Sequence, residues 1–432
     1  MNAEVQPLEN TAARRSVAAP DQLVPPVALN STQMTFPPAQ VPVKPVLSLA
    51  AFFSGRAPHA PSILDVGEPK LVTSGRIAIA LALREMGIGP GDAVLVPAFH
   101  CASMIEPVIW SGATPVFYRV KPDTSVDLDD IAAKLDASSK VLMATNYFGF
   151  PQDLSAIRAF CDARGLKLLE DCAHCFLGEH KGQPVGSYGD YAIASSMKFF
   201  PIYEGGLLVS KRHPLAQVSL QSGGKGFEVK AALNALEESF SYGRLGLVKL
   251  LLRLPMAAKD LIWRQIKAHK PASGQSLVPG SSEGGFSFDP GWLNKRSSGF
   301  SRLMLRLVSR PRMGALRRKN YLKLAAALDG LPGCRPLFAA LPDGVFPWVF
   351  PLILTNKPQP VFNQLKSQGV PIIRFGEYLW PGVDETVCPN TIELSRRVMS
   401  FACHQELRDE DLDWMISKIK EALQSHAAPK TL

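Results

Sequence analysis

The chain has 432 residues, 46% of them hydrophobic, and a formal net charge of +9. A chain of this length and composition can bury a sizeable core and is expected to form two lobes. Its positive charges are too dispersed to argue for nucleic-acid binding, and no uncharged apolar run of roughly eighteen residues predicts a membrane-spanning helix. Seven scattered cysteines without a visible secretory signal predict a reducing cytoplasm rather than a disulfide framework.

Residues 1–45 are predicted to be a disordered tail or an extended arm that lies on the body of the protein. The segments 24–27 and 36–39 each contain adjacent prolines, and Pro42 and Pro45 follow. Proline lacks a backbone N–H donor and fixes φ, so this stretch cannot sustain a helix or a central strand.

Between residues 71 and 210, predicted helices and strands alternate. The predicted helices are 76–86, 104–110, 128–135 and 154–164, and the predicted strands are 93–96, 115–120, 141–148, 166–170, 191–194 and 207–210. Asp127 is a candidate N-cap, and Gly165 is expected to close the fourth helix. This alternation predicts an α/β fold with a mostly parallel sheet covered on both faces, in which ligands bind beyond the carboxyl ends of the strands.

Three features along this region match what pyridoxal phosphate (PLP) requires. Thr73-Ser74-Gly75-Arg76 opens a helix, whose free amides and partial positive charge suit a phosphate. Asp171 ends an apolar strand and could keep a pyridine nitrogen protonated. Lys198 follows two serines and precedes aromatic residues and a double glycine, so it could be a desolvated lysine that binds the cofactor.

Each of these features also has a simpler interpretation. Ser74 could be an ordinary helix cap, Asp171 could cap the loop that follows it, and an isolated lysine such as Lys198 is most often solvated. The segment Cys172-Ala173-His174-Cys175 contains metal-binding residue types, but no second pair completes four ligands, so no metal site is expected. His174 is predicted to approach the phenolic oxygen of the cofactor, with a core histidine as the alternative.

These motifs, in this order, resemble those of the DegT/DnrJ/StrS (sugar) aminotransferases, which have PLP fold type I. Residues 73–79 resemble the family's SGTxAL segment, 147–154 its YGxPxDM segment, and 170–174 its EDAAQ segment. The resemblance implies a seven-stranded-type sheet in a large domain and a smaller α+β C-terminal domain. It also implies roles for particular residues: phosphate binding by Ser74, Gly75, Arg76, Ile77 and Ser195, ring-nitrogen binding by Asp171, ring-oxygen binding by His174, and Schiff-base formation by Lys198.

The sequence departs from the family pattern at two places in the expected site. Arg76 stands where the family usually has threonine. Cys101 stands where an aromatic residue often stacks on the cofactor ring, so Phe99 or His100 is expected to substitute. Relatives with histidine in place of the lysine are dehydratases, and Lys198 argues against that branch.

A predicted insertion at about residues 215–290 separates the motifs from Asn294. The segment Asn294-Lys295-Arg296-Ser297-Ser298 resembles the family's NxRMS-like segment, whose asparagine binds the phosphate of the partner subunit. The resemblance therefore implies a homodimer. Within the insertion, residues 245–270 combine leucines with lysines and arginines, a pattern that suits either an anionic membrane surface or a helix packed on the body.

The predicted organisation is a large PLP-binding domain at 46–312 and a small domain at 313–432. Strands at 347–354 and 371–375, a basic helix from Arg317 and a terminal helix at 409–423 are expected in the small domain. By analogy with the fold, Arg374, Tyr378 and Trp380 could face substrate.

The resemblance implies a PLP-dependent aminotransferase that moves an amino group from glutamate to a keto group of a nucleotide-linked sugar, in polysaccharide, glycan or secondary-metabolite biosynthesis. It is expected in the cytoplasm, and a peripheral contact to the inner face of the membrane through 245–270 is one option for that segment. Two alternatives stay open: a PLP enzyme for a non-sugar amino or keto substrate, and a non-catalytic PLP-binding regulatory or membrane-associated assembly protein.

Overall fold

The computed structural model describes residues 27–28, 35–54, 58–253, 279 and 288–427. The strands in chain order are β1 (Val27–Ala28), β2 (Lys70–Val72), β3 (Ala93–Pro97), β4 (Thr114–Tyr118), β5 (Ser139–Thr145), β6 (Lys167–Asp171), β7 (Glu179–His180), β8 (Gln183–Pro184), β9 (Tyr191–Ala194), β10 (Gly206–Val209), β11 (Cys334–Pro336), β12 (Val349–Leu354), β13 (Ile372–Ile373), β14 (Tyr378–Leu379) and β15 (Val398–Ala402).

The α-helices are α1 (Gly75–Glu85), α2 (Ala102–Trp110), α3 (Leu128–Lys134), α4 (Leu154–Arg164), α5 (Lys225–Ser241), α6 (Gly246–Leu251), α7 (Gly299–Leu307), α8 (Arg310–Leu328), α9 (Pro358–Ser367), α10 (Pro389–Arg397) and α11 (Asp409–Ser425). Short 3-10 turns lie at Leu49–Phe52, Ile63–Asp65, Tyr147–Gly149, Ser196–Lys198 and Pro290–Trp292. The predicted caps form: the Asp127 side chain accepts from the Asp130 amide, and Gly165 ends α4 with a left-handed φ of 64°.

A seven-stranded sheet with the order β2-β10-β9-β6-β5-β3-β4 forms the centre of the larger lobe. Strand β10 is antiparallel to both β2 and β9, and the remaining neighbours are parallel. Strands β3, β5, β6 and β9 are almost wholly buried, as expected for a sheet covered on both faces. The prediction of a mostly parallel seven-stranded sheet is confirmed.

The smaller lobe contains an antiparallel sheet with the order β11-β12-β15-β13. The helix expected from Arg317 begins earlier, at Arg310, because the Ser309 hydroxyl caps the Arg312 amide. This helix, α8, crosses the domain boundary predicted at 312–313, and that boundary stays a prediction.

The strand predicted over 141–148 ends at Thr145. Phe148 has a left-handed φ of 57° and Gly149 a φ of 101°, so the chain turns sharply there. A Cβ at position 149 would lie 2.5 Å from the carbonyl oxygen of Phe346, which shows how closely the turn approaches the segment before β12. The strand predicted over 347–354 correspondingly begins only at Val349.

Residues 35–47, part of the predicted tail or arm, lie against the body of the protein. Val41, Val46 and Leu47 are buried, and the carbonyl oxygen of Pro42 lies 3.0 Å from Nε2 of His404. Strand β1 pairs with β14. This described part has the arrangement of an arm, while residues 1–26 and 29–34 lie outside the described residues.

The described part of the predicted insertion contains α5 and α6. Helix α5 buries Phe227, Ala231 and Ala235, whereas α6 has no buried residue. The predicted basic segment 245–270 is described only as far as residue 253. Among the described helices, none is long and apolar enough to cross a membrane.

Candidate active site

A cavity of about 290 Å³ lies at the carboxyl ends of β5, β6 and β9. The start of α1, the turn that carries Lys198 and the start of α2 surround it. Residues Ile373 and Phe375 of the smaller lobe and Val43 and Lys44 of the arm complete its wall. The cavity therefore lies where a parallel α/β sheet usually binds its ligand.

Helix α1 points its N-terminus into this cavity. Ser74 is the N-cap, and its hydroxyl accepts a hydrogen bond from the Ile77 amide at 3.4 Å. Gly206 of β10 packs against this turn so closely that a Cβ there would lie 2.3 Å from the carbonyl carbon of Ser74. Ser195 faces the same turn, since a Cβ on Gly75 would be 3.7 Å from that of Ser195. Free amides at a helix start beside a serine hydroxyl suit a phosphate.

Arg76 adds a positive charge to this end of the cavity. Burial lowers the pKa of its guanidinium, and the nearby Cys101 and Glu106 partly oppose that effect. Glu106 is itself buried, and its Oε2 has no hydrogen-bond partner in the described structure. A guanidinium binds phosphate with two parallel hydrogen bonds, so the arginine suits the same anion as the helix start.

Asp171 ends β6 with only 1% of its surface exposed. Its Oδ1 accepts a hydrogen bond from the Ala173 amide at 2.8 Å, and its Oδ2 accepts one from the Thr145 hydroxyl at 3.3 Å. Burial raises the pKa of this carboxyl, while the Ala173 amide and the charge of Lys198 lower it. A buried carboxylate at the wall of a cavity is stabilised by a cationic ligand such as a pyridinium.

Lys198 lies in the 3-10 turn after β9 and lines the same cavity. Its Nζ lies 4.7 Å from the ring centroid of Trp348. Burial lowers the pKa of the amine; Cys101 and Asp171 raise it, and Arg76 lowers it further. A lowered pKa increases the fraction of neutral amine, which is the nucleophilic form.

His174 lines the cavity with a buried ring, 2% exposed, that stacks on Trp348 at a centroid distance of 4.0 Å. Burial, together with the charge of Lys198, holds its pKa well below the usual value, so the ring is neutral. In the part of the chain that is described, nothing hydrogen-bonds its Nδ1. An unpartnered buried nitrogen suits a ligand that brings its own hydrogen-bonding group.

The structure does not bring Phe99 and His100 into the cavity. Phe99 is fully buried against Tyr147 and Phe375, with centroid distances of 5.3 and 4.9 Å. His100 pairs through Nδ1 with the carbonyl oxygen of Ala98 at 2.7 Å, and its Nε2 accepts from the Trp380 amide at 2.9 Å. Both rings therefore belong to the core, and Cys101 lines the cavity instead.

Asn294 also lies apart from Lys198 of its own chain. Its Oδ1 accepts a hydrogen bond from Arg84 at 3.1 Å, and Asn294 borders a separate open depression with Gln217 and Gln221.

The residues that the fold analogy suggested as substrate contacts lie elsewhere. Arg374 donates hydrogen bonds to Gln359 and to the carbonyl oxygen of Arg396. Neither Arg374 nor Trp380 lines the cavity.

Sequence reasoning missed several residues of the cavity wall, among them an aromatic pair and a lysine. Trp348 was part of a predicted strand, Phe375 was at the end of another, and Lys44 was in the predicted tail. Lys44 forms a 3.2 Å ion pair with Glu238 of α5. Lys44 lies between Pro42 and Pro45, and these prolines were the available signal for the arm. Nothing local indicated that the arm contacts the site.

Comparison with known proteins finds a match to one protein family. Residues 69–243 match the model of the DegT/DnrJ/EryC1/StrS aminotransferase family. Over these residues, the chain is similar to that family. The resemblance to this family, which the sequence motifs predicted, is thereby confirmed. Aminotransferases of this family depend on PLP.

The curated relatives match over part of their length. GDP-perosamine synthase of Vibrio cholerae is 33% identical over 150 residues, which are 34% of this chain and 41% of the relative. A UDP-N-acetyl-3-dehydro-alpha-D-glucosamine 3-aminotransferase of Acidithiobacillus ferrooxidans is 39% identical over 137 residues, 30% of this chain and 34% of the relative. The match therefore spans less than half the length of these relatives.

Solved structures agree over most of the fold. The aminotransferase TlmJ of Streptoalloteichus hindustanus superposes with a TM-score of 0.60 at 20% identity, covering 85% of this chain and 89% of that one. The PLP form of a sugar aminotransferase described as putative, from Streptococcus pneumoniae, has a TM-score of 0.58 at 18% identity, covering 91% and 100%. At these identities the likeness shows the fold, and the predicted fold class is confirmed.

The residues of the cavity fit PLP. The buried carboxylate of Asp171, the unpartnered Nδ1 of His174 and the amine of Lys198 all line one cavity with the start of α1. These groups match the ring nitrogen, the ring oxygen, the aldehyde and the phosphate of PLP. The metal-ligand types do not gather in the same way: no group of three His, Cys, Asp or Glu side chains forms a metal site within the described residues.

Proposed function

We propose that the protein is a PLP-dependent aminotransferase. The observation that carries this proposal is that the Lys198 amine, the Asp171 carboxylate and the N-terminus of α1 line one cavity. When bound, PLP supplies an electron sink for the bonds at a substrate carbon. The chain then has to hold the cofactor, keep its ring nitrogen protonated and move a proton to and from that carbon.

Each of these tasks has a residue suited to it. The amides at Gly75 and Arg76, with Ser195, hold the phosphate, whereas the Ile77 amide is taken up by the Ser74 hydroxyl. The Asp171 carboxylate keeps a proton on the ring nitrogen. The neutral ring of His174 hydrogen-bonds the ring oxygen. Lys198 binds the cofactor and, as a free amine of lowered pKa, accepts and returns the proton at Nζ.

We propose L-glutamate as the amino donor and a nucleotide-linked keto sugar as the acceptor. Matched relatives are named as synthases or aminotransferases of GDP-, UDP- and dTDP-linked sugars. Polysaccharide, glycan or secondary-metabolite biosynthesis is the corresponding setting. Another matched relative is an L-glutamine:2-deoxy-scyllo-inosose aminotransferase, so a cyclic keto compound that is not a nucleotide sugar is the second candidate acceptor.

We also propose that the active site is shared by two subunits of a homodimer. Asn294 lies outside the cavity of its own chain, beside Arg84, in an open polar depression. A residue so placed can reach the corresponding cavity only in a second copy, and two-fold pairs are the commonest assembly.

We also propose that the protein is cytoplasmic and contacts the membrane surface peripherally through α6. In α6, the side chains of Leu247, Leu250 and Leu251 are 78%, 65% and 79% exposed, and Lys249 lies among them. Exposed leucines beside a lysine suit the surface of an anionic bilayer.

The reaction itself tests the main proposal. PLP-loaded protein should lose its visible absorbance when L-glutamate is added and regain it with an accepted keto compound. Nucleotide-linked keto sugars and 2-deoxy-scyllo-inosose are the acceptors to compare. Stable absorbance with L-glutamate and L-glutamine, despite bound PLP, would instead support a non-catalytic PLP-binding protein.

A further inference from the structure

Arg317 of α8 is fully buried, and its guanidinium is surrounded by carbonyl oxygens. Nη1 donates hydrogen bonds to the carbonyl oxygens of Pro347 at 3.2 Å and Trp348 at 2.9 Å, and Nη2 donates to that of Lys198 at 3.2 Å. Nε donates to Oε1 of Gln405 at 2.9 Å. One side chain thus joins the main chain of the candidate catalytic lysine to the main chain that enters β12.

Two further contacts hold this arginine in place. Its guanidinium carbon lies 4.5 Å from the ring centroid of Phe199, the residue after Lys198. Gln405 completes the connection, because its Nε2 donates to the carbonyl oxygen of Phe199 at 2.8 Å. A planar guanidinium makes several hydrogen bonds in fixed directions, which the single ammonium of a lysine cannot reproduce.

Trp348 is fixed from the other side by the larger lobe. Its amide donates a hydrogen bond of 2.8 Å to the carbonyl oxygen of Phe148, the residue with the left-handed φ of 57°. Gly149 admits the segment before Trp348 at a distance that no side chain would allow. A non-glycine residue in this conformation is held there by its surroundings, which here include the Trp348 backbone.

These contacts determine what the Trp348 ring faces. Its indole stacks on His174 and lies 4.7 Å from Nζ of Lys198. The face of an indole attracts a cation, so the ring stabilises the ammonium form of Lys198. The aromatic neighbour of this amine therefore comes from the smaller lobe.

Several ionisable groups act on the same amine. Asp171 approaches it from β6, Cys101 from the start of α2 and Arg76 from α1. His174 adds a neutral ring. Arg317 is positively charged and contacts Lys198 through the main chain.

We propose that Arg317 is a positioning residue for the Lys198 amine: it ties the Trp348 backbone to the Lys198 backbone so that the indole stands over Nζ. This inference rests on the proposed function, because it concerns the amine that takes up PLP. It assigns Arg317 no contact with the cofactor or the substrate.

The test measures how fast cofactor-free, full-length protein captures PLP on Lys198 as a function of pH. Borohydride quenching and peptide mapping measure the adduct on Lys198. The pH at which the capture rate is half-maximal, called the midpoint below, reports the pKa of the Lys198 amine. Trp348→Leu removes the indole, so the ammonium loses a stabilising neighbour and the midpoint should fall by roughly 0.4 to 1.5 pH units. Arg317→Gln should shift the midpoint in the same direction, because the indole is no longer held.

The direction of the midpoint shift in Arg317→Gln distinguishes a positioning role from the other roles of a buried arginine. If Arg317 acts only through its charge, Arg317→Gln removes a like charge and the midpoint rises. If it is only structural, the melting temperature falls and the midpoint stays. Either result overturns the proposal, as does an unchanged midpoint in Trp348→Leu.

A double variant and two single variants complete the design. Combining Arg317→Gln with Trp348→Leu should shift the midpoint no further than the larger single change, since both act through the indole, whereas additive shifts contradict the proposal. If Arg317→Gln does not fold, Arg317→Lys keeps the charge but reaches fewer carbonyl oxygens, and it should still lower the midpoint. Lys319→Met removes an exposed charge from the same helix and should leave the midpoint unchanged.

Failure of the proposed function is recognised separately. Wild-type protein that captures no PLP on Lys198 would refute the aminotransferase proposal and this inference with it. Capture on Lys198 without the expected shifts would overturn the positioning role alone.

Discussion

Thr145 and Asp171 face each other across the neighbouring strands β5 and β6, and the Thr145 hydroxyl donates a hydrogen bond to Oδ2 of Asp171 at 3.3 Å. The amide of Ala173 binds the other carboxylate oxygen. The carboxylate is therefore oriented by the register of the parallel sheet itself. Because it is buried, its charge depends on a cation in the cavity, which the proposed pyridinium supplies.

Asp171→Asn should therefore keep PLP bound but slow transamination about 100-fold or more, because a neutral amide no longer holds the proton on the ring nitrogen. Thr145→Val is the matched control: it removes one hydrogen bond and should cost less than about tenfold. Rates of the L-glutamate half-reaction decide the matter. If Asp171→Asn turns over at the wild-type rate, Asp171 has a structural role only.

Lys198→Ala should abolish the borohydride-stable PLP adduct. Lys44 offers a matched control, since it lines the same cavity but is paired with Glu238. Lys44→Ala should therefore retain the adduct. Peptide mapping after reduction distinguishes the two lysines, and an adduct that survives on another lysine in Lys198→Ala would show the assignment to be mistaken.

A shared active site predicts complementation between two inactive variants. Lys198→Ala and Asn294→Ala homodimers should both be impaired, the second through weakened phosphate binding. In a mixed dimer, one site combines an intact Lys198 with the partner's intact Asn294. Co-expressed variants should therefore recover about a quarter of wild-type activity, given random pairing of two subunits. No recovery despite proven mixed dimers, or a fully active monomer, contradicts this arrangement.

Stability should fall on acidification because two buried histidines are neutral in the folded protein. Burial lowers the pKa of His100 to about 4 and that of His404 to about 3. Their ordinary pKa is about 6.5, so the unfolded chain takes up more protons below that pH. Their contribution to the free energy of unfolding is complete above pH ~6.5, and it is lost as the pH falls towards their pKa values in the folded protein.

His100→Gln should therefore reduce the drop in melting temperature between about pH 7.5 and about pH 5, because glutamine does not titrate there. Over the whole pH range between its unfolded and folded pKa, one such histidine changes the free energy of unfolding by on the order of 3 kcal/mol. The exposed His59 provides the control, and His59→Gln should leave the drop unchanged. Equal drops in wild type and His100→Gln would show that His100 does not contribute to the acid sensitivity.

Anionic vesicles test the membrane contact of α6. Wild-type protein should co-sediment with them at low salt and be released as salt rises, because screening weakens the attraction of basic residues to the surface. Replacing Leu247, Leu250 and Leu251 by serine should abolish co-sedimentation. Leu322→Ser, at another half-exposed leucine, should not. Wild-type protein that stays in the supernatant at low salt would contradict the contact.

The sequence by itself determined the features that depend on short stretches of chain. Alternating apolar segments predicted the parallel sheet, and the end of one of them placed Asp171 at the edge where ligands bind. The small residues around Ser74 and the serines before Lys198 marked the helix start and the turn. Each of these signals lies within a few residues, where backbone geometry and local hydrogen bonds are decided.

Only the tertiary structure decided which aromatic and charged side chains complete the cavity. Phe99 lies two residues from Cys101, yet its ring packs into the core, while Trp348 enters the site from the other lobe. Arg317 acquires its role because Lys198 and Trp348, far apart in the chain, expose their carbonyl oxygens to one buried point. Such contacts arise from the packing of one lobe on the other, and no local pattern of polarity specifies which distant side chain fills a given gap.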